Sequence, residues 1–253
     1  MKSLSKHRPW AKLLLVTLGL SFFIPVYPAD ARITFKAPEG LGSPGRRIAG
    51  GSRSIEQNSC SSKESNLTAV VPNSNIGLTT QANPIFFVYI PQTSAQTLEL
   101  AVRDESQPGL NTKTYKQIYK PSGKAGIVGI PITATSLEVG KKYRWFFTII
   151  CNSRERSKDR VVYGNIKRIT VEPQLARKLE NATPQQRANL YAEAGIWQDS
   201  IANLAQSLSA NPNNPELKAD WQALLSSKSV GLDNLVSEPL LQGQQQPQLI
   251  TSN

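Results

Sequence analysis

The chain has 253 residues, with 29 Lys plus Arg against 18 Asp plus Glu, two cysteines, one histidine and one methionine. The histidine is His7 and the methionine is Met1, and both lie in a segment that reads as a removable export signal. A mature chain without histidine excludes imidazole acid–base catalysis, Ser-His or Cys-His nucleophiles and imidazole-dependent zinc sites, and two cysteines are too few for an iron–sulfur cluster or a four-thiolate zinc site, so no metal or cofactor is expected.

Residues 1–31 carry the three parts of a secretory signal in order. Lys2, Lys6, Arg8 and Lys12 come first, the apolar run LLLVTLGLSFFI follows at residues 13–24, and Ala29-Asp30-Ala31 supplies a small-x-small cleavage pattern. The run is shorter than the roughly 20 residues that a spanning helix needs, and Pro25 and Pro28 interrupt its continuation. The expected mature product, Arg32 to Asn253, has no second hydrophobic span and belongs outside the cytoplasm, in the periplasm, at the cell surface or secreted. In that oxidising setting Cys60 and Cys151 are expected to pair as a structural staple, the alternative being two separate buried thiols. Closing a loop of about 90 residues restricts the unfolded chain by about 4.5 kcal/mol on the chain-entropy model.

Residues 32–66 are rich in Gly, Ser, Pro and Arg, include PGRRIAGGSR from Pro44 to Arg53, and read as an extended arm. Residues 67–172 change to short apolar or alternating runs separated by turn residues, the pattern of β-strands. Strands are expected at 67–71, 84–90, 97–104, 112–119, 126–132, 142–151 and 160–171. In the sixth, Tyr143, Trp145, Phe147, Ile149 and Cys151 share one face, which must be core because strand side chains alternate. Leu137, Gly140 and Tyr143 stand in the order Leu-x-x-Gly-x-x-Tyr, which resembles the tyrosine corner of immunoglobulin-like and fibronectin type III sandwiches.

Helical spacing replaces alternation after Val171, so residues 173–238 are expected to be helical. Glu172-Pro173 opens a short segment, and Thr183-Pro184 offers an N-cap with a first-turn proline. Tyr191, Trp197, Leu204 and Pro212, with small Ala188, Ser200 and Ser207 between them, resemble one tetratricopeptide-type helix hairpin. A further helix is expected from Pro215 to about Ser227, burying Leu217, Trp221, Leu224 and Leu225. One hairpin cannot bury its own apolar face, so it must pack on the sandwich or on a partner. Residues 239–253, rich in Gln, are expected to be disordered. The expected fold class is therefore α+β, a β-sandwich followed by a small helical region.

The arm, the β region and the remainder carry net charges of +3, +7 and −2. Two basic groups stand out as candidate anion or partner sites: Arg46, Arg47 and Arg53 among the arm's glycines, and Arg154, Arg156, Lys158 and Arg160 between the last two strands. Each also has a plainer reading. The arm's glycines permit close packing against a sheet, and Glu155 and Asp159 can hold the second group as a solvated hairpin. Nucleic acid is a poor candidate, because the chain is read as exported and has no known reader motif. Asp104, Glu105, Glu138, Glu155 and Asp159 are the acids available to a hydrolase, which needs two of them converging on one cleft.

Segments including PGRRIAGGSR, GLTTQANPIFFVYIP (77–91), LELAVRDE (98–105), LEVGKKYRWFFTIIC (137–151) and LYAEAGIWQDSI (190–201) resemble the exported cyanobacterial family described as domain of unknown function 928. The resemblance covers Pro44 to Glu238 and implies an exported protein with both cysteines in place. It brings no catalytic or binding residues. Ile48-Ala49 departs from the more glycine-rich stretch that the resemblance leads one to expect. The expectation is a non-catalytic binding or adaptor protein of the cell envelope that engages an acidic polymer or a protein. The alternatives are protein docking by the helical hairpin and carboxylate-dependent hydrolysis.

Overall fold

The structure, a computed structural model, describes residues 32–49, 60, 66–106, 113–243 and 246–250. The export signal, Arg53 and the glycines before it lie outside the described residues. The strands are β1 (Thr68–Ala69), β2 (Ile76–Thr79), β3 (Ile85–Ile90), β4 (Thr97–Asp104), β5 (Thr114–Lys120), β6 (Gly126–Pro131), β7 (Lys142–Ile150), β8 (Arg160–Arg168) and β9 (Gln248–Leu249). The helices are α1 (Pro173–Glu180), α2 (Pro184–Glu193), α3 (Trp197–Ala210) and α4 (Pro215–Ser226). All seven expected strands are present, together with two that the sequence reading did not contain, β2 and β9.

The strands form two sheets, one ordered β1-β3-β6 and one ordered β2-β8-β7-β4-β5-β9. All pairings are antiparallel except β2 with β8. Alternation sends Leu98, Leu100 and Val102 of β4 and Tyr143, Trp145, Phe147 and Ile149 of β7 inward, where they meet Phe86, Val88 and Ile90 of β3. This core also takes the Cys60–Cys151 disulfide at its margin.

The smaller sheet is an inner layer with no face to water. Phe87 and Tyr89, which alternate with the residues just named, point the other way into a second core built with Trp197, Ile201, Leu204, Trp221 and Leu224. That is why β3 reads as an unbroken apolar run, IFFVYI, instead of alternating. The helices therefore pack on the protein's own sheet. Layer order is the six-stranded sheet, the three-stranded sheet, then the helices, with α3 also reaching past the smaller sheet to β2 at the edge of the larger one.

Local chemistry sets the helix ends. Thr183 and Gln186 form a reciprocal capping box at the start of α2, and the Asn214 side chain accepts from the amides of Glu216 and Leu217 at the start of α4. The Ser200 hydroxyl donates to the Ala188 carbonyl at 2.8 Å, and both residues are fully buried, so small side chains do let α2 and α3 approach. Asp199, in the first turn of α3, accepts from the Thr79 hydroxyl and from the amide and hydroxyl of Thr80, tying that helix to β2. Burial pushes its carboxyl above the usual range against the pull of those donors.

In the turn before β7, the Tyr143 hydroxyl accepts from the Glu138 amide at 3.0 Å. Gly140 has a φ of +83°, a conformation glycine adopts without strain, and its amide donates to the Arg168 carbonyl at 2.8 Å. Leu137 is buried beneath this turn.

The arm and the tail differ from expectation in the same way, because both serve as edges of the fold. Arg46 exchanges both backbone bonds with Tyr163 at the edge of β8, while Ile48, two residues on, bridges to Thr68 of β1. The arm thus passes from one sheet to the other and closes the side of the sandwich. Ile33 and Phe35 are buried in the helical core, with Phe35 edge-on to Trp197 at 5.1 Å between ring centroids. The expected disorder of residues 239–253 is corrected for those described. Leu241 is buried and bonds to Ile127 of β6, and β9 pairs with the free edge of β5. Composition misled here because an edge strand needs backbone partners more than apolar side chains.

Candidate functional site

The outward face of the large sheet is where alternation leaves an unexpected set of side chains. Cross-strand register places Lys116 of β5, Ala101 of β4, Phe146 of β7 and Tyr163 of β8 in one row. The antiparallel bridge continues that row to Arg46, which is exposed. Phe146 and Tyr163 are half-buried and lie together with ring centroids 5.6 Å apart at an interplanar angle of 37°. In the next row Arg103 and Arg144 are direct cross-strand partners. The Arg103 guanidinium lies over the Phe146 ring at 5.6 Å from the centroid, a cation–π arrangement.

Two like charges directly opposite each other repel. Glu105 relieves this pair: its Oε1 accepts from Arg103 Nε and Nη2 at 3.0 and 2.7 Å, and its Oε2 lies 3.3 Å from Arg144 Nη2. The Arg144 Nε is buried without an acceptor. Lys142, one row further along β7, donates to Ser43 of the arm at 2.8 Å. The arm thus borders the face, and Asn165 of β8 donates to the Pro44 carbonyl beneath it.

The basic residues singled out from sequence divide into distinct roles. Arg46 joins the aromatic row. Arg47 turns the other way, donating to Asn73 and to the Val230 and Gly231 carbonyls just beyond α4. Burial drags its guanidinium down to about 10. It is a fastener between the arm and the turn that follows α4.

In the β7–β8 connection, Arg156 pairs with Asp159, and Lys158 pairs with Glu155 at 3.2 Å. Asp159 also accepts from the Cys151 amide, so the connection is an internally paired turn seated on the disulfide. Arg154 is exposed, and Arg160 stands opposite Ile149 at the start of β8. Glu99, on the outward face, stands opposite Thr148 near the end of β7, so the connection borders that face from its far end.

The sequence reading missed the aromatic row and the Arg103–Glu105–Arg144 set. The available signal was parity: Phe146 and Tyr163 are aromatics at positions that alternation assigns to water. Placing them side by side required the pairing register, which no local pattern supplies.

The candidate hydrolytic acids are all engaged elsewhere. Besides Glu105, Glu155 and Asp159, Lys141 lies 2.7 Å from Glu138 and 3.5 Å from Asp104, which also caps Ser106. Among the described residues no cluster of three or more His, Cys, Asp or Glu is placed to hold a metal, and no helix is long and apolar enough to cross a membrane. On the opposite side of the molecule a cleft of about 260 Å³ opens between α3, α4 and the segment after them, walled by Leu208, Pro212, Lys218, Trp221, Val236 and Leu240.

The family model described as Domain of Unknown Function (DUF928) matches residues 48–240, most of the chain. The chain belongs to the DUF928 family. The match spans both sheets as far as β8 and all four helices, so DUF928 covers the layered unit as a whole rather than one layer of it. It carries no sign of catalysis. No curated protein matches the chain.

Proposed function

We propose that this protein is an exported, non-catalytic binding module of the cell envelope, and that the outward face of its six-stranded sheet holds an acidic polymer. The observation that carries this reading is the row Lys116–Phe146–Tyr163–Arg46 beside Arg103 and Arg144. It combines cations with aromatic surface on a rigid scaffold, and charge complementarity favours an anionic occupant. Export accords with the disulfide, which persists in oxidising compartments. In the same reading the two sheets are an immunoglobulin-like sandwich with Tyr143 as its corner, and α2–α3 is a tetratricopeptide-like hairpin. The bond from the Glu138 amide and the Ser200–Ala188 contact support those two finer assignments. The hairpin's apolar face is spent on the inner sheet, which favours the sheet surface over the helices as the docking element.

The test is retention on a dextran sulfate column under a salt gradient. The protein is expected to bind and to elute earlier when Arg103 and Phe146 are both changed to Ala. Passage through the column at low salt, or unchanged elution of the double variant, would sink the reading.

A further inference from the structure

The Glu105 carboxylate sits where an anionic ligand would bring its own. It is shared between two guanidinia on neighbouring strands, at 2.7 Å from Arg103 and 3.3 Å from Arg144. The arrangement is only partly screened from water, since the side chains of Arg103, Arg144 and Glu105 are 37%, 29% and 22% exposed. It is also incomplete. Arg144 makes its contact at the long end of the range, and its Nε has no acceptor. A guanidinium offers five donors, so the pair can donate to more oxygen atoms than one carboxylate provides. The neighbouring row is aromatic. Phe146 and Tyr163 lie side by side, both half-buried, with the Arg103 guanidinium over the Phe146 ring.

An acidic protein would answer the charges through its carboxylates, which do not themselves cover two adjacent aromatic rings. A glycan bearing carboxylate or sulfate groups answers both, because sugar rings present flat C–H faces to aromatics while their anionic substituents reach the arginines. Resting on the binding reading above, we propose that the polymer is an anionic polysaccharide. Glu105 is an internal stand-in for its charged group and is displaced from Arg103 and Arg144 when the glycan docks with its sugar rings against Phe146 and Tyr163.

The experiment compares the unsubstituted protein with Glu105→Gln and Phe146→Ala by calorimetry against dextran sulfate, polygalacturonate, neutral dextran and polyglutamate. The expected result is binding of the two anionic polysaccharides and not of dextran. Glu105→Gln should tighten that binding about threefold, within the range a partly exposed ion pair is worth. Phe146→Ala should weaken it roughly tenfold, as loss of a central aromatic anchor does. In the unsubstituted protein, the Glu105 carboxyl carbon resonance should shift on addition of dextran sulfate, a readout that does not depend on the variant folding. Unchanged or weaker binding by a folded Glu105→Gln, or a resonance that stays put while the polymer binds, overturns the displacement and leaves the binding face standing. Polyglutamate bound as tightly as the polysaccharides, with Phe146→Ala silent, overturns the glycan in favour of an acidic protein. No binding to any polyanion is the separate failure of the binding reading itself.

Discussion

The indole N–H of Trp197 donates to the Val70 carbonyl at 3.0 Å, joining the first residue of α3 to the backbone just beyond β1. Trp197 is fully buried, and Phe35 packs against its ring from the arm. Arm, inner sheet and helices thus meet at one side chain.

Trp197→Phe keeps most of the packing and removes the hydrogen bond, so it should cost about 1–2 kcal/mol. Trp197→Ala adds a cavity and should cost about 3–5 kcal/mol. Urea denaturation measures both. Equal losses from the two substitutions would show that the bond, and not the volume, dominates.

Asp199 predicts a pH dependence of defined sign. Its folded-state pKa is raised above the ordinary 3.8, chiefly by burial. The folded state therefore holds the proton more tightly than the unfolded one. The stability this contributes is fully present below 3.8 and is lost as pH rises through the folded value. Asp199→Asn should flatten that fall. Urea titrations at closely spaced pH values above 3.8 read the difference between the two proteins, and parallel curves would contradict it.

The Cys60–Cys151 bond has a sequence separation of 91 residues. Replacing both with Ser should lower stability by about 2–5 kcal/mol. The loss should appear in denaturant midpoints. Binding to dextran sulfate should persist wherever the variant is folded, because neither sulfur belongs to the aromatic row.

Arg46 and Arg47 are neighbours with opposite expected effects. Arg46→Ala should leave stability within about 0.5 kcal/mol, as for an exposed side chain, and weaken dextran sulfate binding. Arg47→Ala removes the bonds to Asn73, Val230 and Gly231 and should cost about 1–3 kcal/mol. Its effect on binding by the folded protein should be small. Thermal melts and calorimetry on the two variants separate these roles, and interchange of the two outcomes would refute the assignment.

Much of this was legible residue by residue. The alternation in TLELAVRD locates β4 to the residue, and the prolines at 173, 184 and 215 each open a helix. What stayed hidden was non-local. The sequence IGLT of β2 is four residues long and contains a glycine, with too little pattern to identify a strand. It forms because β8 offers it a parallel edge and α3 covers it. The arm and tail looked like appendages because edge pairing uses backbone groups, which composition does not report. The outward face was hidden for a related reason: Arg103, Arg144 and Glu105 are ordinary surface residues until register brings them to one point.

The double-sided burial of β3 has a mechanical consequence. Phe86 and Phe87 are joined by one peptide unit yet belong to different cores, so the helices cannot slide over their sheet without dragging the sandwich interior along. The layers have no slip plane between them. A polymer gripped on the outer face would pull against the whole molecule, helices included, and not against a hinged flap.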